Sequence, residues 1–325
     1  MVIDVHAHYF PPEYLESLNK LSDEAKGPLA WGWKSTIERA VLGDPLMYGD
    51  MDERIRLMDV AGIDLQVLSL SMPNVYFADS EESLRLARLS NDCFAELQRK
   101  YQSRILGLAS VPLTNVAMAV DELRRAVKGL GLRGVLLGSN VMGKPLDSPE
   151  FDPFYAEVER LGAVIVIHPM VPASAAAYSD YDLLSMVGLP VDSTLAVLRL
   201  IFSGILDRYP NIKVILPHLG GPVLFLWERI EQRFLTPFRG RASMMQPPSY
   251  YLKNVYYDCV SFHLPAMRCV RDTVGSGQML LGTDFPYVSH GNLSRAVESV
   301  RRLELPPDET ENVLGENAAK LFAVS

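Results

Sequence analysis

Short apolar runs rich in β-branched residues alternate with amphipathic stretches along the chain. The runs Ile3–His8, Leu65–Ser69, Ile105–Ala109, Gly134–Gly138, Val164–His168, Lys213–His218, Val255–Asp258 and Met279–Thr283 predict eight strands. Between them, apolar positions spaced three and four apart predict helices over Met51–Ala61, Ser80–Tyr101, Ala117–Gly129, Phe151–Leu161, Ser193–Arg208, Pro222–Phe234, Pro265–Val274 and Asn292–Leu303. The unbroken apolar stretch Ala163–Ile167 suits a parallel strand buried on both faces. Strand–helix alternation repeated eight times predicts an α/β fold, a (β/α)8 TIM barrel forming one domain over residues 1–325, more readily than an open doubly wound sheet.

Turn chemistry marks several boundaries. Tyr209-Pro210-Asn211 ends one helix and launches the next strand, and Gly129 and Gly131 bracket another helix end. Residues 10–49 break the repeat as an insertion after the first strand, carrying Trp31, Trp33, Arg39 and Tyr48. A loop of that length in a compact domain is expected to be a lid, a substrate-binding insertion near the active site or a disordered stretch. The tail is expected to form a short helix after Pro306-Pro307 and another around Asn317–Phe322.

With 48% hydrophobic and 22% charged residues over 325 positions, the chain can bury an ample core. The net charge is −8 and no run of Lys and Arg occurs, which excludes a phosphate-backbone footprint and makes nucleic acid an unsuitable partner. An anionic substrate must then be met by a few local arginines or by a metal. Three cysteines far apart, with no CxxC pair, fit neither a disulfide framework nor a thiolate zinc site. The first residues run straight into a strand, leaving no room for a signal peptide, and the apolar stretch from Leu195 to Leu206 is broken by Arg199. A soluble, cytoplasmic protein without a membrane span is expected.

The chemistry-bearing residues gather at predicted strand ends, where barrels of this kind build their active sites. Of six histidines, His6, His8, His168 and His218 end strands, and Asp284 follows the eighth in Leu-Gly-Thr-Asp-Phe-Pro. His6 and His8 are two apart on a strand and project to the same side, as two ligands of one borderline-soft ion would. His168 ends a strand too apolar for an unpartnered charged imidazole. His218 precedes Leu219-Gly220-Gly221, where backbone can approach a ligand closely, although it could also pack against the next helix. Asp284 could be a helix cap, but a carboxylate beside three imidazoles points instead to a metal. Zinc suits the set best, and manganese or magnesium is compatible. Asp258 reads as a supporting group, and Asp4, sharing the facing of His6 and His8, as a carboxylate that orients a ligand imidazole. His263 and His290 fall on the active-site rim by topology.

The ordered motifs Ile3-Asp4-Val5-His6-Ala7-His8, Met58-Asp59-Val60-Ala61-Gly62-Ile63-Asp64, His168-Pro169, Pro217-His218-Leu219-Gly220-Gly221, Gly282-Thr283-Asp284-Phe285-Pro286 and Gly315-Glu316-Asn317-Ala318 cover nearly the whole chain. With them the chain resembles the amidohydrolase superfamily, in the branch of aminocarboxymuconate semialdehyde decarboxylase and the decarboxylases of γ-resorcylate, 5-carboxyvanillate and isoorotate. The resemblance implies that His6, His8, His168 and Asp284 bind one divalent ion, and that His218 positions or deprotonates the metal-bound water or substrate. It implies that Arg229 binds a substrate carboxylate, in some relatives from a neighbouring subunit, so that a homodimer or higher homo-oligomer is expected. Arg39 is the nearest match to an arginine of the first insertion, and Phe285 and His263 are further candidates for contact with a small carboxylate substrate. The fourth strand ends Leu137-Gly138-Ser139, without the lysine that bridges two metals in binuclear relatives, so one ion is expected. The implied reaction is non-oxidative decarboxylation of a small aromatic or unsaturated acid, with proton transfer by Asp284 or metal-bound water and His218 assisting. The same site could instead direct metal-bound hydroxide at a lactone, amide or ester, making the chain a hydrolase.

Overall fold

In the computed structural model, which describes residues 1–20, 50–236, 243–287 and 292–324, eight parallel strands follow one another around a sheet in chain order. They are β1 (Ile3–His8), β2 (Leu65–Ser69), β3 (Ile105–Ala109), β4 (Gly134–Gly138), β5 (Val164–His168), β6 (Lys213–Leu216), β7 (Tyr256–Asp258) and β8 (Met279–Leu280). The last strand turns back onto the first: Val5 donates to the Leu281 carbonyl at 2.9 Å, His8 to Phe285 at 2.7 Å, and Asp284 to His6 at 2.8 Å. A parallel bridge between Ala7 and Phe285 completes this seam, and the eight strands with their surrounding helices form the expected TIM barrel. The insertion expected at 10–49 is described only at its start, where Pro12–Asn19 is a helix. Arg39, Trp31 and Trp33 lie outside the described residues, as does His290.

Strand interiors alternate in the barrel sense. Ile3, Val5, Leu65, Val67, Leu106 and Leu108 pack with other strand residues into an inner core, closed at one end by Ala318, Ala319 and Phe322 of the helix Asn317–Phe322. The opposite parity packs outward against the helices. The tail is tied in by Asn317, whose amide donates to the carbonyls of Ser276 and Met279, each at 2.9 Å.

Differences from the expected elements concentrate at the carboxyl ends of strands, where the chain leaves the sheet. β6 stops at Leu216 and β8 at Leu280, so His218 and Asp284 stand on loops just past their strands. The helix expected from Pro222 starts at Trp227. The segment Leu184–Phe202 is long and apolar enough by composition alone to cross a membrane, which the sequence reading did not single out. Half of it is buried in the fold, and Arg199 within it pairs with Asp147 at 2.6 Å.

The seat of β1 on the tail generates a stability prediction. A methyl group added at Gly315 would lie 1.9 Å from the Met1 carbonyl oxygen, a backbone atom that cannot swing aside. Gly315→Ala should therefore cost about 1–3 kcal/mol of stability by overpacking. Urea unfolding followed by circular dichroism checks it, and an unchanged midpoint would count against this packing.

Candidate active site

β1 is regular up to Asp4, and its pairing with β2 then shifts through a bulge between Asp4 and Ala7. Bulges of this kind re-aim side chains beside active sites. Here it brings His6 and His8 to face each other, Nε2 to Nε2, at 3.1 Å. His168 arrives from β5, its ring centroid 5.3 Å from that of His6 and 4.6 Å from that of His8. Asp284 comes from the β8 loop in a left-handed conformation (φ +56°), and its Oδ1 lies 3.4 Å from His6 Nε2 and 3.3 Å from His8 Nε2. One donor atom from each of the four residues falls within 4.8 Å of all the others. The three imidazoles are buried and the aspartate half-buried.

The second nitrogen of each ring fixes its role. His168 Nδ1 faces the Pro169 carbonyl at 3.2 Å, an oxygen that only accepts, so Nδ1 carries the proton and Nε2 keeps its lone pair. His8 Nδ1 meets Ser69 Oγ at 3.2 Å, and His6 Nδ1 meets Asp258 Oδ2 at 2.7 Å. Burial pushes His8 down to about 4, and burial with neighbouring imidazoles holds His168 well below its ordinary value, so both are neutral donors. For His6, burial also disfavours the charged form, but the adjacent Asp258 and Asp284 outweigh it and hold the group up at about 9. Burial opposes the charge on Asp284 too, yet His6, His218 and His8 keep its carboxyl well below the usual range. The two carboxylates thus demand positive charge between them.

This donor set fits a divalent cation. Atoms bound about 2.1 Å from one ion stand roughly 3.0–3.4 Å apart, which is the spacing of the His6, His8 and Asp284 donors. Asp284 Oδ1 is buried and accepts no hydrogen bond, a costly state for a carboxylate oxygen unless a cation takes it up.

His218 stands beside the cluster, its ring centroid 5.1 Å from that of His6 and its Nε2 3.6 Å from Asp284 Oδ2. Its Nδ1 is buried without a hydrogen-bond partner. The chain is strained here: His218 and Leu219 adopt φ of +57° and +53°, ahead of two glycines also at positive φ. Such a conformation costs about 1–3 kcal/mol for a residue with a side chain and persists where the surroundings over-determine it. Asp258 supplies part of that constraint, because its Oδ1 accepts from the His218 amide at 2.9 Å while its Oδ2 holds His6. Gly221 is required by space as well as by φ, since a methyl group there would meet the Pro190 carbonyl at 2.5 Å.

Other sequence-predicted residues distribute differently. Asp4 does not orient an imidazole. The bulge breaks the alternation that placed it beneath His6, and its carboxylate instead accepts from the His6 amide, Gln66 Nε2, and the amide and hydroxyl of Thr283. Phe285 is fully buried with its ring 4.7 Å from the Arg54 guanidinium. Tyr287, which the sequence reading passed over, brings an aromatic ring to 5.4 Å from that of His8. Arg229 is exposed on the helix Trp227–Leu235, and His263 is exposed at the start of the helix Leu264–Val274.

The bonds from Asp258 to His6 and to the His218 amide make it the natural probe of the cluster. Asp258→Asn should leave the fold intact but weaken binding of a divalent ion roughly 10–100-fold, the usual effect of losing a carboxylate behind a ligand imidazole. Calorimetric titration with Mn2+ measures this, and undiminished affinity would contradict the role.

Comparison with known proteins agrees with this geometry. The family described as amidohydrolase matches residues 3–324. The 2-amino-3-carboxymuconate-6-semialdehyde decarboxylase of Dictyostelium discoideum is 34% identical over 281 residues, covering 85% of this chain and 77% of that relative. The crystal structure of 5-carboxyvanillate decarboxylase from Sphingomonas paucimobilis superposes with a TM-score of 0.92 at 26% identity, covering 100% of this chain and 99% of the other. A dihydroxybenzoic acid decarboxylase from Polaromonas sp., solved with bound manganese and the inhibitor 2-nitroresorcinol, gives 0.84 at 25% identity over 99% of this chain and 97% of its own. From its first strand to its last helix, this chain belongs to the amidohydrolase family.

Proposed function

We propose that the chain is a carboxy-lyase that removes CO2, without redox chemistry, from a small aromatic or unsaturated carboxylic acid, using one divalent ion held by His6, His8, His168 and Asp284. The observation that carries this reading is the division of labour within Asp284: Oδ1 faces the ligand imidazoles, and Oδ2 faces His218. The relatives act as decarboxylases by name, and the hydrolase alternative has no comparable support. Three imidazoles and a carboxylate accept zinc or manganese, and the manganese-bound relative makes Mn2+ the first ion to test.

When bound, the ion supplies Lewis acidity and a template for the substrate carboxylate and its neighbouring oxygen. Asp284 moves the proton. Its carboxyl is held well below the usual range, so once protonated it is a strong donor to the substrate carbon that bears the carboxylate. The bond between that carbon and the carboxylate carbon then breaks, its electron pair returns to the unsaturated system, and CO2 leaves. His218, 3.6 Å from Asp284 Oδ2, stabilises developing charge and resupplies the proton.

The same reading includes a homodimer. Phe225, Leu235 and Met245 are 86%, 73% and 73% exposed, while Trp227, Ile230 and Phe234 turn the other side of the helix Trp227–Leu235 onto the core. Val191 and Leu195 of the helix Leu189–Phe202 are exposed apolar residues as well. Large apolar side chains left this exposed suit contact with a second copy of the chain. Arg229 rides on the same helix and would reach a substrate carboxylate in the neighbouring site. All three cysteines are free of disulfides, in keeping with a reducing, cytoplasmic setting.

CO2 evolution from a panel of hydroxybenzoates and related acids by Mn2+-loaded enzyme tests the reaction. At least one acid should be turned over, chelation should abolish it, and Asp284→Asn and His218→Asn should each lower kcat about 100- to 10,000-fold. No turnover across the panel with metal bound would count against the assignment. For the assembly, light scattering should give twice the 36.2 kDa chain mass, and Phe225→Asp with Leu235→Asp should reduce it to one chain. A wild-type monomer at micromolar concentration would refute the dimer.

A further inference from the structure

Arg54 is the largest fully buried side chain among the described residues. It lies on the helix Met51–Ala61, whose buried stripe is Met51, Arg54, Met58 and Ala61, so a guanidinium occupies a slot that packing alone would give to an aliphatic residue. Burying that charge is costly unless each donor is directed at something specific. One guanidinium nitrogen donates to the carbonyl of His8 at 2.8 Å, and another to Gln66 Oε1 at 2.9 Å. The planar group also lies 4.7 Å from the centre of the Phe285 ring, directly beyond Asp284.

Its partners stand on both sides of the seam that closes the barrel. His8 ends β1, and Phe285 follows the β8 loop residue Asp284. Gln66 passes the contact on, donating at 2.8 Å to Asp4, which accepts in turn from the Thr283 hydroxyl at 2.6 Å. The seam itself consists of few backbone bonds, among them His8 to Phe285 and Asp284 to His6. Yet it sets the 3.3 Å gap between His8 Nε2 and Asp284 Oδ1.

We propose that Arg54 is a positioning residue for the metal centre, its rigid fork fixing the His8 and Asp284 donors at bonding separation by gripping the His8 carbonyl and the Phe285 ring at once. A lysine at this position keeps the charge but cannot make the fork. The inference deepens the metal-binding part of the proposed function and rests on it.

Arg54→Lys and Gln66→Met test it, with Mn2+-loaded enzyme competed against a chelator, visible absorption of the Co2+-substituted enzyme, and thermal unfolding. Folded Arg54→Lys should hold Mn2+ about 10–100-fold more weakly and show an altered Co2+ band. Gln66→Met should move both in the same direction by less. Folded Arg54→Lys with wild-type Mn2+ affinity and Co2+ spectrum would overturn the proposal. Should Arg54→Lys not fold, Gln66→Met decides by the same two readouts, and failure of both to fold assigns Arg54 to the core alone and overturns it too. Wild-type enzyme that takes up no Mn2+ would overturn the metal site and this inference together, which separates the two failures.

Discussion

Lone pairs of three imidazoles and an oxygen of one carboxylate are held facing a common centre, with donor atoms within 4.8 Å of one another. Such groups do not gather unaided, because neutral lone pairs gain nothing from each other and burial strips their water. The cost is met outside the cluster, by hydrogen bonds that fix which nitrogen of each ring points inward. Asp258, Ser69 and the Pro169 carbonyl each take one Nδ1. A site arranged in advance loses little entropy when an ion enters and admits few alternative geometries. The positive φ at His218 and Asp284 belongs to the same economy of shape, since both residues depart from their strands at angles ordinary turns would not give.

Asp258 matters more than its modest place in the sequence suggests. Through one oxygen it sets the tautomer of a metal ligand, and through the other it anchors the amide of the residue proposed to handle the proton. His6 and His218 are thereby tied to one side chain, so that a shift of the β7 end would displace both together. This coupling explains how a short strand of three residues can be enough, because the side chain of its last residue does the holding that further ladder bonds would otherwise do.

Most of the fold was legible because the strands are short, largely apolar runs set between amphipathic helical stretches, and β1 to β5 begin and end where those runs do. The ligand set was legible for a related reason: in a parallel barrel, strand ends are the active face, and the histidines are rare enough for their positions to stand out. What misled was strict alternation. Counting by twos put Asp4 under the imidazoles, whereas the bulge in β1 sends its carboxylate to Gln66 and Thr283. Arg54 was overlooked although its signal is present, a single arginine in the buried stripe of an otherwise ordinary amphipathic helix. Only pairing with Gln66, itself a polar break in the apolar run of β2, gives that stripe a meaning, and the pairing is a tertiary fact.

Charge balance at the centre constrains the substrate side as well. Asp258 and Asp284 flank His6 and hold its imidazole up at about 9, so the cluster draws positive charge to itself, a demand that a divalent ion would meet. An anionic acid approaches this cluster in a protein whose net charge of −8 repels it at long range. A carboxylate buried there is stabilised by a cation close at hand. Arg54 cannot serve, since its guanidinium is fully buried against His8, Gln66 and Phe285. Of the arginines the resemblance singles out, Arg229 is exposed on the helix Trp227–Leu235 and Arg39 lies outside the described residues. Phe225 and Leu235 are exposed apolar residues before and at the end of that helix, so a second copy seated there, as proposed, would engage Arg229 in the same contact.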